Sequence, residues 1–150
     1  MTFKRILYAV SFDEDSQAAF TAAVKFARES HGTVCLLHVL PLPNAIIYAD
    51  VLAADKGRAE NRLQKLAAQV PAGIGRTAIV KFGHTAHEIV ETARAERADL
   101  IVMGTRGRSG IARLIHGSVA RQVVQASRLP VLTVPSNEAR EAGTTSIQAA

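Results

Sequence analysis

Short apolar runs alternate along the chain with longer segments in which apolar residues recur every three or four positions. That alternation predicts βαβ units and a mostly parallel sheet. Residues 6–10, 34–40, 77–82, 100–103 and 131–134 read as the strands. The second of them, Val-Cys-Leu-Leu-His-Val-Leu, is apolar almost throughout, as a strand covered on both faces should be. Helices are expected over 15–30, 52–70, 87–97 and 117–127. In the first, Ala18, Ala19, Ala22, Ala23, Phe26 and Ala27 trace one face, which implies close approach to the sheet, and Gly32 is expected to end it. Residues 1–136 form one domain on this reading. The polar stretch 137–150 has no sustained apolar face and is expected to be a mobile tail.

The chain of 150 residues is long enough for one core and, with 48% hydrophobic and 21% charged residues, is neither disordered nor fibrous in composition. A single cysteine, Cys35, excludes an internal disulfide framework and a cysteine-rich zinc site, and favours a reducing, cytoplasmic setting. No run approaches the roughly 20 apolar residues of a membrane span. The net charge of +5 is uneven: Arg106, Arg108, Arg113, Arg121 and Arg128 fall in a stretch without acidic residues. A solvated basic helix face accounts for such a stretch, and so does an anionic ligand. No aromatics interleave with it, which argues against a base-stacking nucleic-acid surface.

In open α/β sheets ligands sit beyond the carboxyl ends of the strands, where strand order reverses. The glycine-rich turn Met103-Gly104-Thr105-Arg106-Gly107-Arg108-Ser109-Gly110 follows the fourth strand, and Gly117-Ser118 opens a helix. Glycines permit close backbone approach, and the free N–H groups of a helix start favour a phosphate. The same residues also serve ordinary tight turns. A P-loop would need a Gly-Lys-Ser/Thr ending and a dinucleotide fold a Gly-x-Gly-x-x-Gly after the first strand, and the chain has neither.

The spacing Gly104-x2-Gly107-x9-Gly117-Ser118 resembles the nucleotide-binding signature of the universal stress protein family. The opening strand Lys-Arg-Ile-Leu-Tyr-Ala-Val (4–10), Leu-Leu-His-Val (36–39) and Ala-Asp-Leu-Ile-Val-Met-Gly (98–104) resemble the family's strands as well. The resemblance implies an open five-stranded parallel sheet in the order 3-2-1-4-5 with helices on both faces. This is a Rossmann-like architecture of the adenine nucleotide alpha hydrolase type. It also implies a cytoplasmic ATP-binding sensor or regulator of the stress response, a homodimer through Val131, Leu132, Thr133 and Val134, and a downstream protein partner that the sequence does not identify. By position, the nucleoside would lie against Ala9, Val10, Ser11 and Val39. The phosphates would lie on the glycine loop, at Met103, Gly104, Gly107, Gly117, Ser118 and Val119, where the nearby Arg106 and Arg108 could screen their charge. The ligand would be ATP, or ADP or AMP, with or without Mg²⁺.

One residue departs from the family pattern. Ser11 stands where an aspartate is usual, and Asp13 follows two places on, able either to replace that carboxylate or to cap the first helix with Glu14 and Asp15 nearby. A nucleotide-independent dimeric interaction module of the same fold is therefore the rival expectation. No base or nucleophile is evident beside the phosphates, so no catalytic residue is assigned, and slow ATP hydrolysis stays open. His84 and His87 lack metal-ligand partners at a recognisable spacing, and no metal site is assigned. His38 is expected to be a hydrogen-bonded core residue and Cys35 an inert buried thiol, while His116 stands next to the phosphate-side glycine.

Overall fold

The computed structural model describes residues 2–13, 16–42, 48–105, 118–135 and 146–148. Strands and helices alternate as β1 (Arg5–Ala9), α1 (Gln17–Ser30), β2 (Thr33–Leu40), α2 (Ala49–Ala67), β3 (Gly75–Phe82), α3 (Thr85–Ala95), β4 (Leu100–Thr105), α4 (Ser118–Ala126) and β5 (Val131–Pro135). The five strands are parallel and lie in the order β3-β2-β1-β4-β5, as the resemblance implies. Chain order reverses at β1, which pairs with β2 on one side and β4 on the other. The crevice for a ligand is therefore expected at the carboxyl ends of β1 and β4.

Side chains of the central strands alternate between two cores, which is why these strands read as continuous apolar runs. Ile6, Tyr8, Val34, Leu36, Leu100 and Val102 face α1 and α2, meeting Ala19, Ala23, Ala27 and Leu63. Leu7, Leu37, Val39, Ile101 and Met103 face α3 and α4, meeting Ile89, Ala93, Ala120 and Val123. Each fully buried Leu or Ile contributes about 2 kcal/mol by leaving water, so the two cores set the positions of the strand ends firmly. Tyr8, completely buried, donates its hydroxyl to the Ser16 carbonyl at 3.1 Å and so joins β1 to the start of α1. Burial pushes its phenol up to about 12, which keeps it a neutral donor.

Several boundaries differ from expectation. Helix α2 starts and ends three residues earlier than 52–70, because Gln69 and Val70 donate to Leu66 and Ala67 in a tighter i→i−3 turn that closes the helix ahead of Pro71. The left-handed position that ends α1 belongs to His31 (φ 51°) rather than to Gly32. Gly32 answers a different need: a Cβ there would lie 2.8 Å from the Lys4 carbonyl carbon and 2.9 Å from its Cα.

The tail also contributes. Residues Ser146–Gln148 form β6, antiparallel to β5, with Val131 opposite Gln148, Leu132 opposite Ile147 and Thr133 opposite Ser146. The outer edge of β5, expected to be open for a second copy, is thus occupied along Val131–Thr133 by the chain's own carboxyl-terminal segment, while 136–145 lie outside the described residues.

Candidate functional site

Where β1, β2 and β4 end, the sheet and the helices above it leave a cavity of about 450 Å³, within the range of small-molecule sites. The ends of β1 and β2 supply Ala9, Val10 and Val39, and β4 supplies Met103 and Gly104. Ser11 enters from the β1–α1 loop, and Ser118 and Val119 enter from the first turn of α4. All of these were singled out from the sequence, and the fold brings them to one cavity. Arg106, Gly107, Arg108 and Gly117, together with Glu14, Asp15 and His116, lie outside the described residues.

Sequence reasoning missed Ser16, His38, Thr85 and Ile89 as lining residues, while Asp13, weighed there as a substitute carboxylate or a helix cap, lines the cavity as well. Thr85 and Ile89 arrive because α3 crosses over the end of β2, a placement set by packing between segments far apart in the chain. A signal for His38 existed: it is a polar residue near the carboxyl end of a buried strand, which is where α/β sites gather. Its Nδ1 lies 2.7 Å from the Val10 carbonyl, which can only accept, so Nδ1 carries the hydrogen and a neutral ring has Nε2 bare.

The β1–α1 loop is held from several sides. Val10 donates its N–H to the Leu37 carbonyl at 2.7 Å and receives His38 on its own carbonyl. Phe12 adopts a left-handed backbone, φ 61°, which costs a bulky residue about 1–3 kcal/mol unless its surroundings fix it. Those surroundings are the His38 ring, centroid 4.4 Å away, and the Arg62 guanidinium, 4.3 Å from the Phe12 centroid, with Arg62 Nη2 also 3.4 Å from the Phe12 carbonyl. Beyond Phe12, the Asp13 carbonyl accepts both the N–H and the hydroxyl of Ser16, the residue at the N-cap position of α1. Ser11 donates its hydroxyl to Asp13 Oδ1 at 2.6 Å, so the acidic side chain lines the cavity in company with the serine.

Burial, with the Arg62 charge adding to it, pulls His38 below its ordinary value of 6.5, against the opposing pull of its hydrogen bond to Val10. The unfolded chain therefore takes a proton at this position more readily than the folded one. The stability that follows is complete above pH 6.5 and shrinks as pH falls through that value toward the lowered folded-state pKa. Urea denaturation from about pH 7.5 to about pH 5 is expected to show a fall in unfolding free energy that is smaller in His38→Gln; equal falls would assign the effect to other groups.

Gly104 is informative because the fold does not require it. A Cβ there would meet Ala19 and the Val134 carbonyl at an ordinary 3.8 Å, and its φ is not in the left-handed region. Gly104 stands on the cavity wall at the end of β4 without a side chain. Ser118 and Val119, at the start of α4, line the same cavity, and the first turn of that helix holds no acidic residue to offset its dipole. A glycine in the wall, the Ser11–Asp13 pair and a helix start lining one cavity suit a compact ligand with an anionic end.

The family model described as the universal stress protein family matches residues 2–135. A universal stress protein of Thermus aquaticus is 37% identical over 138 residues, spanning 88% of this chain and 98% of its own. The universal stress protein YxiE of Bacillus subtilis is 32% identical over 149 residues, spanning 88% and 99%. Among solved structures, a universal stress protein from Archaeoglobus fulgidus superposes with a TM-score of 0.69 at 25% identity, covering 87% of this chain and 97% of its own. Another from that organism, in complex with dAMP, gives 0.65 at 22% identity over 89% and 98%. A universal stress protein in complex with cAMP gives 0.70 at 21% identity over 91% and 100%.

Proposed function

Because this chain belongs to the universal stress protein family, we propose that it binds an adenine nucleotide, ATP or its ADP or AMP products, and acts as a cytoplasmic sensor or regulator. The nucleoside lies against Ala9, Val10, Ser11 and Val39. The phosphates lie toward Met103, Gly104 and the start of α4 at Ser118 and Val119, with Gly107 and Gly117 completing the signature and Arg106 and Arg108 beside it in the sequence. The observation that carries this reading is Gly104, a glycine that neither packing nor backbone conformation demands, on the wall of a cavity that the start of α4 also lines. Relatives of the same fold in complex with dAMP and cAMP support an adenine nucleotide as the ligand. Mg²⁺ would accompany a polyphosphate by binding between its oxygens. Among the described residues that line the cavity, Asp13 is the carboxylate within it.

The proposed homodimer through Val131–Val134 requires residues 146–148 to leave the edge they occupy. Ser11, in the slot of the usual carboxylate, favours a second reading in which the same fold serves as an interaction module without a nucleotide. The two are separated by denaturing freshly purified protein, identifying released nucleotide by chromatography with mass detection, and titrating ATP into the emptied protein by calorimetry. Near-stoichiometric adenine nucleotide, or saturable ATP binding, is the expected result. A protein that carries none and ignores ATP, ADP and AMP leaves the interaction module standing.

A further inference from the structure

The Ser11–Asp13 contact fixes a hydrogen-bond polarity at the cavity. A serine hydroxyl has one hydrogen and two lone pairs, and on its own it adapts to a donor or an acceptor. Here the hydrogen is committed to Asp13 Oδ1 at 2.6 Å, a charge-assisted length, which leaves Ser11 Oγ only lone pairs to offer at the cavity it lines. The loop around the contact is held in place by Val10 on Leu37 and His38, by Phe12 against His38 and Arg62, and by the Asp13 carbonyl on Ser16. A hydroxyl in a loop fixed this way cannot follow a ligand of the wrong polarity without giving up its bond to the carboxylate.

We infer that Ser11 and Asp13 together are the specificity-determining element of the nucleoside end, an acceptor that selects ligands presenting a hydrogen-bond donor to Ser11 Oγ. This rests on the nucleotide reading above. Adenosine carries such donors in two places, the 6-amino group of the base and the ribose hydroxyls. Either one completes a relay from ligand to Ser11 to Asp13 in which each bond polarises the next. A 6-oxo purine, or a sugar lacking the hydroxyl, sets lone pair against lone pair or leaves the serine oxygen unpaired. Asp13 is the selective half of the pair, because without it the Ser11 hydroxyl rotates and accepts either polarity.

The experiment is calorimetric titration of ATP, inosine triphosphate, 2′-deoxy-ATP and 3′-deoxy-ATP into wild type, Ser11→Ala and Asp13→Ala, with circular dichroism to show each variant folded. Asp13 ties Ser16 through its backbone carbonyl, so that tether survives the substitution. In wild type one analogue is expected to bind about tenfold or more weakly than ATP, the worth of one hydrogen bond to a charge-supported partner. In both variants that ratio is expected to fall toward one. Discrimination against inosine triphosphate identifies the base amine as the donor, and discrimination against a deoxy analogue identifies the sugar. Equal binding of all four ligands to wild type, or a ratio that persists in both variants, overturns the inference while leaving nucleotide binding intact. A wild-type protein that binds no ATP, ADP or AMP overturns the nucleotide reading and this inference with it.

Discussion

Replacing Gly32 with alanine is expected to destabilise the protein by about 3 kcal/mol, the upper part of the range for overpacking a rigid site. The added Cβ would stand 2.8 Å from the Lys4 carbonyl carbon, 2.9 Å from its Cα and closer still to its oxygen, all backbone atoms with no rotamer to change. Nor can the strand recede. The Lys4 carbonyl accepts the Thr33 N–H at 2.7 Å, starting the β1–β2 ladder, and the Lys4 and Arg5 N–H groups are both held by the Asp99 carboxylate at 2.9 and 3.1 Å. Relief therefore means parting β1 from β2 or from β4, at the centre of the sheet. Gly57 provides the contrast: it lies within α2, a methyl group added there would meet nothing within 4 Å, and alanine is expected to add about 0.5–1 kcal/mol. Urea denaturation of both variants measures the pair, and a Gly32→Ala protein as stable as wild type would mean that the β1–β2 contact yields.

The second large effect concerns the ligand. Gly117→Val is expected to weaken ATP binding about 100-fold or more, equivalent to about 2.7 kcal/mol, while leaving the melting temperature of the nucleotide-free protein close to wild type. Gly117 immediately precedes Ser118, where α4 begins on the wall of the cavity. A branched side chain at this point competes for the space in which a phosphate would approach the N–H donors of a helix start. Calorimetry together with thermal melts separates lost binding from lost folding. Retained affinity would move the phosphate site away from α4.

The fold was legible in the sequence wherever burial on both faces leaves a continuous apolar run. Residues 34–40 and 100–103 are of that kind, and the structure extends them by no more than two residues at either end. Strand β3 was less distinct because it forms the far edge of the sheet and none of its residues is fully buried. Strand β6 was illegible for a different reason. Ser-Ile-Gln is too short for alternation to register, and the pairing with β5 rests on backbone groups that every residue supplies. At the site, Ala9, Val39 and Met103 came from the resemblance to the family, and each lies at or near the carboxyl end of its strand, where topology gathers site residues. The left-handed Phe12 and its contacts with His38 and Arg62 depend on three elements meeting, and no local pattern encodes such a meeting.

The segment 146–148 gives the edge of β5 a competitor that is never diluted. A tethered strand meets its docking edge at an effective concentration on the order of millimolar, whereas a second molecule in a typical preparation is about a thousandfold scarcer. Sheet edges invite indiscriminate strand addition, and here a short self-supplied strand stands guard over one. Whatever restrains the carboxyl terminus elsewhere removes the guard. The end of the chain chosen for a purification tag thus becomes an experimental variable: an amino-terminal tag leaves the competition untouched, and a bulky carboxyl-terminal one shifts it toward pairing between molecules.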